Sequence, residues 1–272
     1  HQGPFYINQP GFIEIFNQLL TANEIKFIYP THDTIANFLA AHQDELAAAV
    51  IGSCADTNDI ARHKRKTYRH FNDKSWCPRL FEELADVTEY PVFLKPDDGQ
   101  GGKGTSIAYA KGELDFYISK NKDLLVMEYL PGEEFSIDCF TDHEGNLVFA
   151  GPRTRERVQM GISFRSNATP LTDELQAIAT EINDRVSLDG AWFFQTKADR
   201  NKNQKLIEFA PRQASTMGLY RHTGINFALL SFFNAKKQKV EILQNTYDIM
   251  LDRCLYNRFQ ADLYYRRVYI DF

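Results

Sequence analysis

A lysine followed by a cluster of glycines is the stretch of the sequence best suited to chemistry. Residues 90–108 read YPVFLKPDDGQGGKGTSIA, in which a short apolar run leads to Lys95 and four glycines follow by position 104. Because glycine has no Cβ, backbone N–H groups in such a loop can approach an anion closely. The order strand, lysine, glycines, strand predicts a hairpin that closes over phosphate groups. An ordinary hairpin turn would give the same pattern.

A basic segment precedes the glycine-rich stretch. Residues 56–72 read DTNDIARHKRKTYRHFN and are predicted to form one helix, capped by Thr57 or Asn58. The helix carries five consecutive basic or imidazole side chains at positions 62–66. These side chains form either a solvated helix face or a place for an anion.

Composition excludes several functional classes. The chain has 272 residues, of which 43% are hydrophobic and 25% charged, as in a globular protein with a packed core. Its net charge of −5 disfavours a nucleic-acid partner. We expect no membrane partner, because no apolar run approaches the ~18 residues of a membrane span. Four cysteines without CxxC spacing predict reduced thiols in a cytoplasmic protein.

The first 60 residues alternate between helical and strand patterns. Helices are predicted at 12–22 and 34–49, and strands at 26–29 and 48–52. An αβαβ order favours a parallel sheet. The unit has no leading strand and therefore looks like the back half of a Rossmann-like module.

Beyond the glycine-rich stretch the pattern changes to mainly antiparallel strands. Two apolar runs flank the turn sequence DHEG, which predicts a hairpin, and two further runs flank the polar loop DRNKN. The predicted helices are 113–119, 173–186 (begun by Thr172 or Asp173) and 225–233 (in the core), and the predicted strands are 124–128, 135–141, 146–151, 190–198 and 204–209.

Four segments in order resemble the ATP-grasp superfamily, and within it the carbamoyl-phosphate-synthase large-chain-like branch. They are the lysine in HKRKTY, then KPDDGQGGKG, then MEYLPGEEFSID, then LIEFAPR followed by HTGIN. The resemblance extends to about Ala235. It implies an α+β (α/β) ATP-grasp fold, in which two α+β subdomains grip the nucleotide after a truncated Rossmann-like N-terminal unit. The implied domains are 1–58 and 59–272, the latter divided into a small subdomain with the glycine-rich lid (59–127) and a large subdomain (128–272).

The resemblance also implies a nucleotide site for ATP. Lys64 and Lys95 match the two basic residues that contact the phosphates, where opposite charges are required. Glu134 matches the carboxylate that holds the ribose hydroxyls, the alternative being an exposed charge at a strand edge. The remaining nucleotide-binding positions are the lid residues Gly101, Gly102, Lys103 and Gly104 and the hinge residues Glu128, Tyr129 and Leu130.

At the implied metal site the chain departs from the family pattern. Gln195 and Glu208 match two ligands of Mg²⁺, with Mn²⁺ as an alternative, but Ala210 stands where relatives have a ligating asparagine. Magnesium often takes only one or two oxygens from protein, so Gln195 and Glu208 would suffice for one ion. Arg212 matches a catalytic arginine beside the transferred phosphate, and Lys95 is counted with it.

Further arginines follow the second hairpin. Because side chains alternate along a strand, Arg153, Arg155 and Arg157 are expected on one face. With Arg165 they are predicted to bind substrate or phosphate, unless they form a solvated edge.

The resemblance implies an ATP-dependent ligase that joins a small-molecule carboxylate to an amine or ammonia through an acyl phosphate. The alternative is an ATP-binding module with reduced or lost turnover. The final residues RVYIDF resemble the first strand of a haloacid-dehalogenase-type phosphatase, with Asp271 as its first aspartate, so the chain is alternatively part of a longer fusion. Apolar surface on the N-terminal half makes a homodimer plausible.

Overall fold

Helices pack on mainly antiparallel sheets in the computed structural model, which describes residues 6–99, 101–159, 161–242, 249–256 and 259–266. The helices are α1 (Phe12–Ala22), α2 (Asp33–Ala41), α3 (Ala55–Arg62), α4 (Lys64–His70), α5 (Lys111–Lys120), α6 (Asp173–Arg185), α7 (Gly218–Arg221) and α8 (Phe227–Ala235). The strands are β1 (Phe27–Ile28), β2 (Ala49–Val50), β3 (Leu80–Phe81), β4 (Val92–Lys95), β5 (Ser106–Ala108), β6 (Leu125–Glu128), β7 (Glu134–Thr141), β8 (Leu147–Thr154), β9 (Arg157–Gln159), β10 (Ile162–Asn167), β11 (Gly190–Ala198), β12 (Gln204–Ala210), β13 (Ile249–Tyr256) and β14 (Phe259–Arg266).

The N-terminal unit contains the predicted parallel pair. Strands β1 and β2 run parallel, with Phe27 opposite Ala49. The predicted second helix is too long, because α2 ends at Ala41 and a 3₁₀ turn follows. Gln43 in that turn accepts a hydrogen bond from Val50 N at 2.7 Å, which folds the segment back onto β2.

The glycine-rich stretch lies in a four-stranded antiparallel sheet of order β3-β6-β4-β5. Strands β4 and β5 form the predicted hairpin, with Val92 opposite Ala108. Helix α5 covers one face of this sheet, where Leu114 packs with Leu94 and Val126 in an apolar cluster. Lys95 is the last residue of β4 in this sheet.

The single basic helix predicted for residues 56–72 is wrong. The segment forms α3 and α4, separated by His63 in an extended conformation. The break coincides with a cap from the glycine-rich loop, because Asp97 Oδ1 accepts a hydrogen bond from Arg65 N at 2.6 Å and Asp97 O accepts one from Lys64 N at 3.2 Å. A cap from 32 residues away satisfies the first N–H groups of α4.

The predicted cap of the basic segment is also wrong. The residue preceding α3 is Cys54, not Thr57 or Asn58. Thr57 is buried, and its Oγ1 donates to Ser187 O at 3.1 Å. The predicted domain boundary at residue 58 falls within α3.

The large antiparallel sheet has the order β12-β11-β7-β8. One face packs on α6, which Thr172 caps as predicted by accepting a hydrogen bond from Leu175 N at 3.3 Å. Ile137, Trp192 and Phe194 of the sheet are fully buried in this core. The opposite face carries polar side chains and part of a second apolar cluster, which includes Phe140, Phe149 and Phe193.

Helix α8 is only half in the core, which corrects the prediction for residues 225–233. Phe227 packs in a second apolar cluster with Phe149. Leu229, Phe232 and Phe233 are exposed.

A further antiparallel sheet has the order β14-β13-β10-β9. Asp271 and the rest of the predicted phosphatase-like strand lie outside the described residues. Among the helices of the described ranges, none has the length and apolar character needed to cross a membrane.

Candidate active site

The polar face of the large sheet carries a row of four side chains in direct register. Glu208 on β12 is opposite Gln195 on β11, Gln195 is opposite Ser136 on β7, and Ser136 is opposite Arg153 on β8. Because cross-strand partners project to the same face of a sheet, these side chains share one surface. The two predicted metal ligands are therefore neighbours on this face.

Two cavities lie over this row. The Arg212 cavity, of about 440 Å³, is lined by Asp33, Arg153, Ala210 and Arg212. The Glu134 cavity, of about 400 Å³, is lined by Lys95, Tyr129 and Glu134. Both cavities are lined by Lys64, Gly99, Gly101, Lys103, Arg155, Gly161, Gln195 and Glu208. Of the predicted lid residues, Gly101 and Lys103 thus stand with the metal-ligand candidates where the cavities meet, whereas Gly102 lines only the Glu134 cavity and Gly104 lines neither.

The glycine-rich loop is held from both sides. Lys64 Nζ donates to Gly99 O at 2.8 Å. On the other side Gly101 touches Gly161, in the turn between β9 and β10, so closely that a Cβ on Gly161 would overlap the Gly101 backbone. Gly101, Gly102 and Gly161 all have positive φ, which glycine adopts without strain. The loop therefore bridges the small sheet and the β9–β10 hairpin across the cleft.

Lys95 is almost completely buried beneath this loop. Its Nζ donates to the Tyr68 hydroxyl and, at 3.1 Å, to Ile207 O. Burial, followed by the nearby charge of Lys64, lowers the pKa of Lys95 to about 7, against the weaker opposite effect of Glu208. A buried amine with this pKa gains charge readily when an anion binds beside it.

The residues predicted to contact the sugar and base line the Glu134 cavity. Glu134 pairs with Arg155, whose Nε lies 2.6 Å from Glu134 Oε1. Glu128 accepts a hydrogen bond from Arg79 N at 2.9 Å, so its side chain fixes the neighbouring chain. Tyr129 and Leu130 line the cavity next to Glu128.

The expectation that three arginines share one strand face is wrong. Strand β8 ends at Thr154, and Arg157 belongs to β9, where it is exposed and lies opposite Arg165. Arg157 is placed over the Phe164 ring at 5.9 Å. Arg153 is fully buried in a bidentate pair with Asp138. Of the four arginines predicted to bind substrate or phosphate, Arg155 lines both cavities and Arg153 lines the Arg212 cavity, whereas Arg157 and Arg165 line neither.

Arg212 is held by the N-terminal unit. Its Nε and Nη2 donate to the two carboxylate oxygens of Asp33, at 2.5 and 2.7 Å, and its guanidinium lies 5.2 Å from the Phe193 ring centre. Asp33 is the first residue of α2. The arginine at the edge of the sheet is thus oriented by a residue 179 positions away.

The oxygen donors fit one magnesium ion. Gln195 and Glu208 provide an amide and a carboxylate side by side, and magnesium commonly takes one or two protein ligands together with substrate phosphates. Ala210 is two residues after Glu208 on the same strand, lines the Arg212 cavity and packs in the apolar cluster with Phe193. Within the described ranges no three His, Cys, Asp or Glu side chains group as metal ligands.

Sequence reasoning missed Asp33, Asp138 and Tyr68. Each contacts a basic side chain of the site that is distant in sequence. When an acidic residue lies at the start of a helix or inside an apolar strand, the neighbouring sequence does not indicate which basic residue it will pair with. A tyrosine in the basic segment likewise gave no signal.

Comparison with known proteins agrees with the fold. The family described as ATP-grasp in the biosynthetic pathway with Ter operon matches residues 120–252. The carbamoyl phosphate synthase large chain of Clostridium botulinum (strain Alaska E43 / Type E3) is 28% identical over 129 residues. That match covers 42% of this chain and 12% of the relative, so the chain spans about an eighth of the relative's length.

Two solved structures have a similar fold. One is the biotin carboxylase domain of Hydrogenobacter thermophilus 2-oxoglutarate carboxylase, crystallised as a dimer with MgADP, ADP and bicarbonate (TM-score 0.76, 16% identity, 93% of this chain and 63% of that one). The other is an L-amino acid ligase from Bacillus licheniformis (TM-score 0.67, 19% identity, 90% of this chain and 67% of that one). These matches show that the chain has the ATP-grasp fold, and that its residues 120–252 are similar to an ATP-grasp family.

Proposed function

We propose that the protein is an ATP-dependent ligase that joins a carboxylate to an amine or ammonia through an acyl phosphate. The observation that carries the proposal is the meeting of two cavities at Gln195 and Glu208 beneath the glycine-rich loop. One cavity suits a nucleotide and the other a second reactant. A phosphoryl group held at their junction would face both.

In this proposal the Glu134 cavity takes the adenosine part of ATP. Its walls include the apolar side chains of Phe93, Met127 and Ile207, which suit a flat base. Glu134 accepts hydrogen bonds from the ribose hydroxyls. The lid N–H groups at 101–104, with Lys64, Lys95 and Lys103, contact the phosphates.

The reaction needs positioning and charge stabilisation rather than a protein nucleophile. A carboxylate oxygen attacks the γ-phosphorus, the bond to the β-phosphate oxygen breaks, and ADP leaves with that electron pair. An amine then attacks the acyl carbon, phosphate leaves, and the amine proton is released. Arg212 stabilises charge on the transferred group from the edge of the sheet.

Gln195 and Glu208 would hold magnesium, or manganese, against the phosphates. The ion neutralises phosphate charge when bound. The residues themselves orient the phosphate chain, because they occupy adjacent strands of a rigid sheet.

The direct test is release of ADP from purified protein and MgATP with a panel of small carboxylates and amines, together with ammonia. We expect ADP release that requires an added carboxylate, and an amide product when the amine is present. A panel that leaves ADP release at the level of buffer alone would contradict the ligase.

The second candidate function is an ATP-binding module with reduced turnover. Ala210 favours it, because an apolar side chain replaces a ligating oxygen beside Glu208. Restoring the oxygen with Ala210→Asn distinguishes a working ligase from a module with reduced turnover. For a working ligase we expect magnesium affinity to rise about threefold to tenfold and turnover to change little, at a cost of about 1 kcal/mol of stability from crowding Phe193.

A matched variant, Ala210→Val, adds volume without a ligand and should reproduce only the loss of stability. Magnesium affinity is measured by calorimetry in the presence of ADP. A rise in turnover of about a hundredfold or more in Ala210→Asn would instead identify the present chain as the impaired module.

The ion pair between Asp33 and Arg212 leads to a separate prediction. Asp33→Asn keeps the shape but removes the charge that orients the guanidinium, so we expect kcat to fall about tenfold while the KM for ATP stays within twofold. The pair is partly buried, so some loss of melting temperature is also expected. Equal changes in kcat for Asp33→Asn and for a variant of an exposed acid such as Asp115 would show that Asp33 has no positioning role.

Small-molecule carboxylates and amines are the proposed partners, and a homodimer remains part of the proposal. The free thiols Cys54, Cys77 and Cys139 support a reducing, cytoplasmic location. Burial raises the pKa of Cys77 to about 12, which keeps its thiol protonated and unreactive.

A further inference from the structure

Arg153 is a buried arginine with an incomplete set of hydrogen bonds. Only 1% of its surface is exposed, and its Nε and Nη2 donate to Asp138 at 2.8 and 3.1 Å. Its Nη1 is buried without a hydrogen-bond partner. A buried donor left unpaired is costly, so such a group in a cavity wall points to a ligand that completes it.

A second buried polar atom lines the same cavity. Ser163, on β10, is 3% exposed, and its Oγ also lacks a hydrogen-bond partner. Arg153 and Ser163 both line the Arg212 cavity. Six of the side chains lining this cavity belong to Arg or Lys and two to Asp or Glu, so its charge favours an anionic ligand.

The position of Arg153 in the sheet separates it from the phosphoryl-transfer site. Glu208 and Arg153 are the two ends of the polar row, three strand spacings apart. At about 4.8 Å per spacing, their backbones are about 14 Å apart. The oxygen that meets Arg153 therefore belongs to a different group from the one that attacks the phosphate near Glu208.

We propose that Arg153, with Ser163, binds a second carboxylate of the substrate, so that the substrate is a short dicarboxylic acid. An arginine N–H binds carboxylate oxygens strongly, and a serine hydroxyl can donate to the same anion. This inference rests on the proposed ligase and names its substrate class. One carboxylate meets the phosphoryl group held beside Glu208, and the other anchors the molecule at Arg153, since the phosphoryl group and the arginine side chain themselves fill much of the distance between the two backbones.

The test measures binding apart from turnover. Protein with Mg²⁺ and a non-hydrolysable ATP analogue is titrated by calorimetry with malonate, succinate and glutarate. Propionate, butyrate and valerate, which have the same carbon numbers, serve as the monocarboxylate comparison. We expect at least one dicarboxylate to bind about tenfold or more tightly than its matched monocarboxylate.

Two variants test whether Arg153 and Ser163 cause the preference for dicarboxylates. Arg153→Lys keeps a positive charge beside Asp138 but cannot serve both the aspartate and a ligand, and Ser163→Ala removes the hydroxyl. We expect the dicarboxylate preference to fall about tenfold in the first and about threefold in the second, with monocarboxylate binding unchanged. Ser166→Ala is the control, because Ser166 Oγ is buried and unpartnered but Ser166 does not line the cavity.

If Arg153→Lys does not fold, the paired variant Arg153→Gln with Asp138→Asn removes both charges and should show the same loss. Equal binding of di- and monocarboxylates by the unaltered protein overturns the inference. An equal loss for both ligand classes in the variants does so as well.

Failure of the proposed function gives a different result. If dicarboxylates bind selectively but no carboxylate causes ADP release, the ligase fails and the Arg153 site stands. If monocarboxylates cause ADP release as well as dicarboxylates do, the ligase stands and the Arg153 site fails.

Discussion

Replacing Lys95 with methionine is expected to abolish measurable nucleotide binding and to raise the melting temperature of the nucleotide-free protein. The loss follows because Lys95 lies beneath the glycine-rich loop, where the phosphates are proposed to bind. The gain follows from burial, which lowers the pKa of Lys95 to about 7, so that folding withdraws a proton that the unfolded chain holds. At pH 7 the loss of this proton costs the folded protein about 4 kcal/mol, and Lys95→Met removes that cost. The variant also loses the hydrogen bonds to Tyr68 and Ile207, which cancels part of the gain. The net gain is about 1 to 2 kcal/mol.

The same residue predicts how pH acts on the unaltered protein. Above pH 7 the free amine is mostly neutral, and binding of phosphate must protonate it. Affinity for ADP should therefore be constant below about pH 7 and fall about tenfold per pH unit above it. In the absence of nucleotide, this group makes stability rise with pH between about 7 and about 10.5, because the unfolded state binds the extra proton. Calorimetric titration with ADP and thermal melts across this range check both slopes.

The Lys95→Met variant should lose both pH dependences, that of ADP affinity and that of stability. Tyr68→Phe is the matched variant, because it keeps the amine and removes one hydrogen-bond acceptor. We expect it to bind ADP with a pH midpoint below 7, since the charged amine loses a partner. ADP binding in Lys95→Met within threefold of the unaltered protein would contradict a phosphate role for Lys95.

Local patterns in the sequence predicted the elements that carry the site. The hairpin of β4 and β5 and the strand pair of β11 and β12 formed where glycines, turn residues and apolar alternation indicated. Periodicity and turn chemistry act within about ten residues, so such features can be read from sequence. The pairs next to the short loop between β11 and β12 follow from that loop, whereas Gln195 faces Glu208 because a β-bulge beside Thr196 shifts the pairing by one residue, which the sequence did not indicate.

Contacts between distant segments could not be read in this way. Asp97 breaks the basic segment at His63, and Asp33 holds Arg212, but neither acid lies near its partner in sequence. The burial of Arg153 likewise depends on Asp138 on the neighbouring strand. An arginine-rich stretch predicts charge, whereas its pairing is decided by the tertiary fold, so these arginines were wrongly placed on one face.

Glu208→Gln is expected to lower kcat and magnesium affinity on the order of a hundredfold or more. The substitution keeps the size of the side chain and its place opposite Gln195, but leaves two neutral amides where the proposal needs an anionic ligand. The fold should be unaffected, because Glu208 is partly exposed and belongs to neither apolar cluster of the sheet. Magnesium titration in the presence of ADP measures the affinity, and ADP release measures kcat. Glu174→Gln is the control, since that carboxylate accepts a hydrogen bond from Gln204 N and lines neither cavity.

The pH profile separates a metal ligand from a purely electrostatic neighbour. Glu208 raises the pKa of Lys95, so its neutralisation should move the midpoint of magnesium-free ADP binding to lower pH whatever its role toward metal. A metal ligand must also change the dependence on magnesium. If Glu208→Gln shifts the midpoint but leaves magnesium affinity and kcat within twofold, then Glu208 acts only on Lys95. The proposed ion would then have only Gln195 from this strand pair, too few protein oxygens to hold it in place, and the ATP-binding module would become the better account.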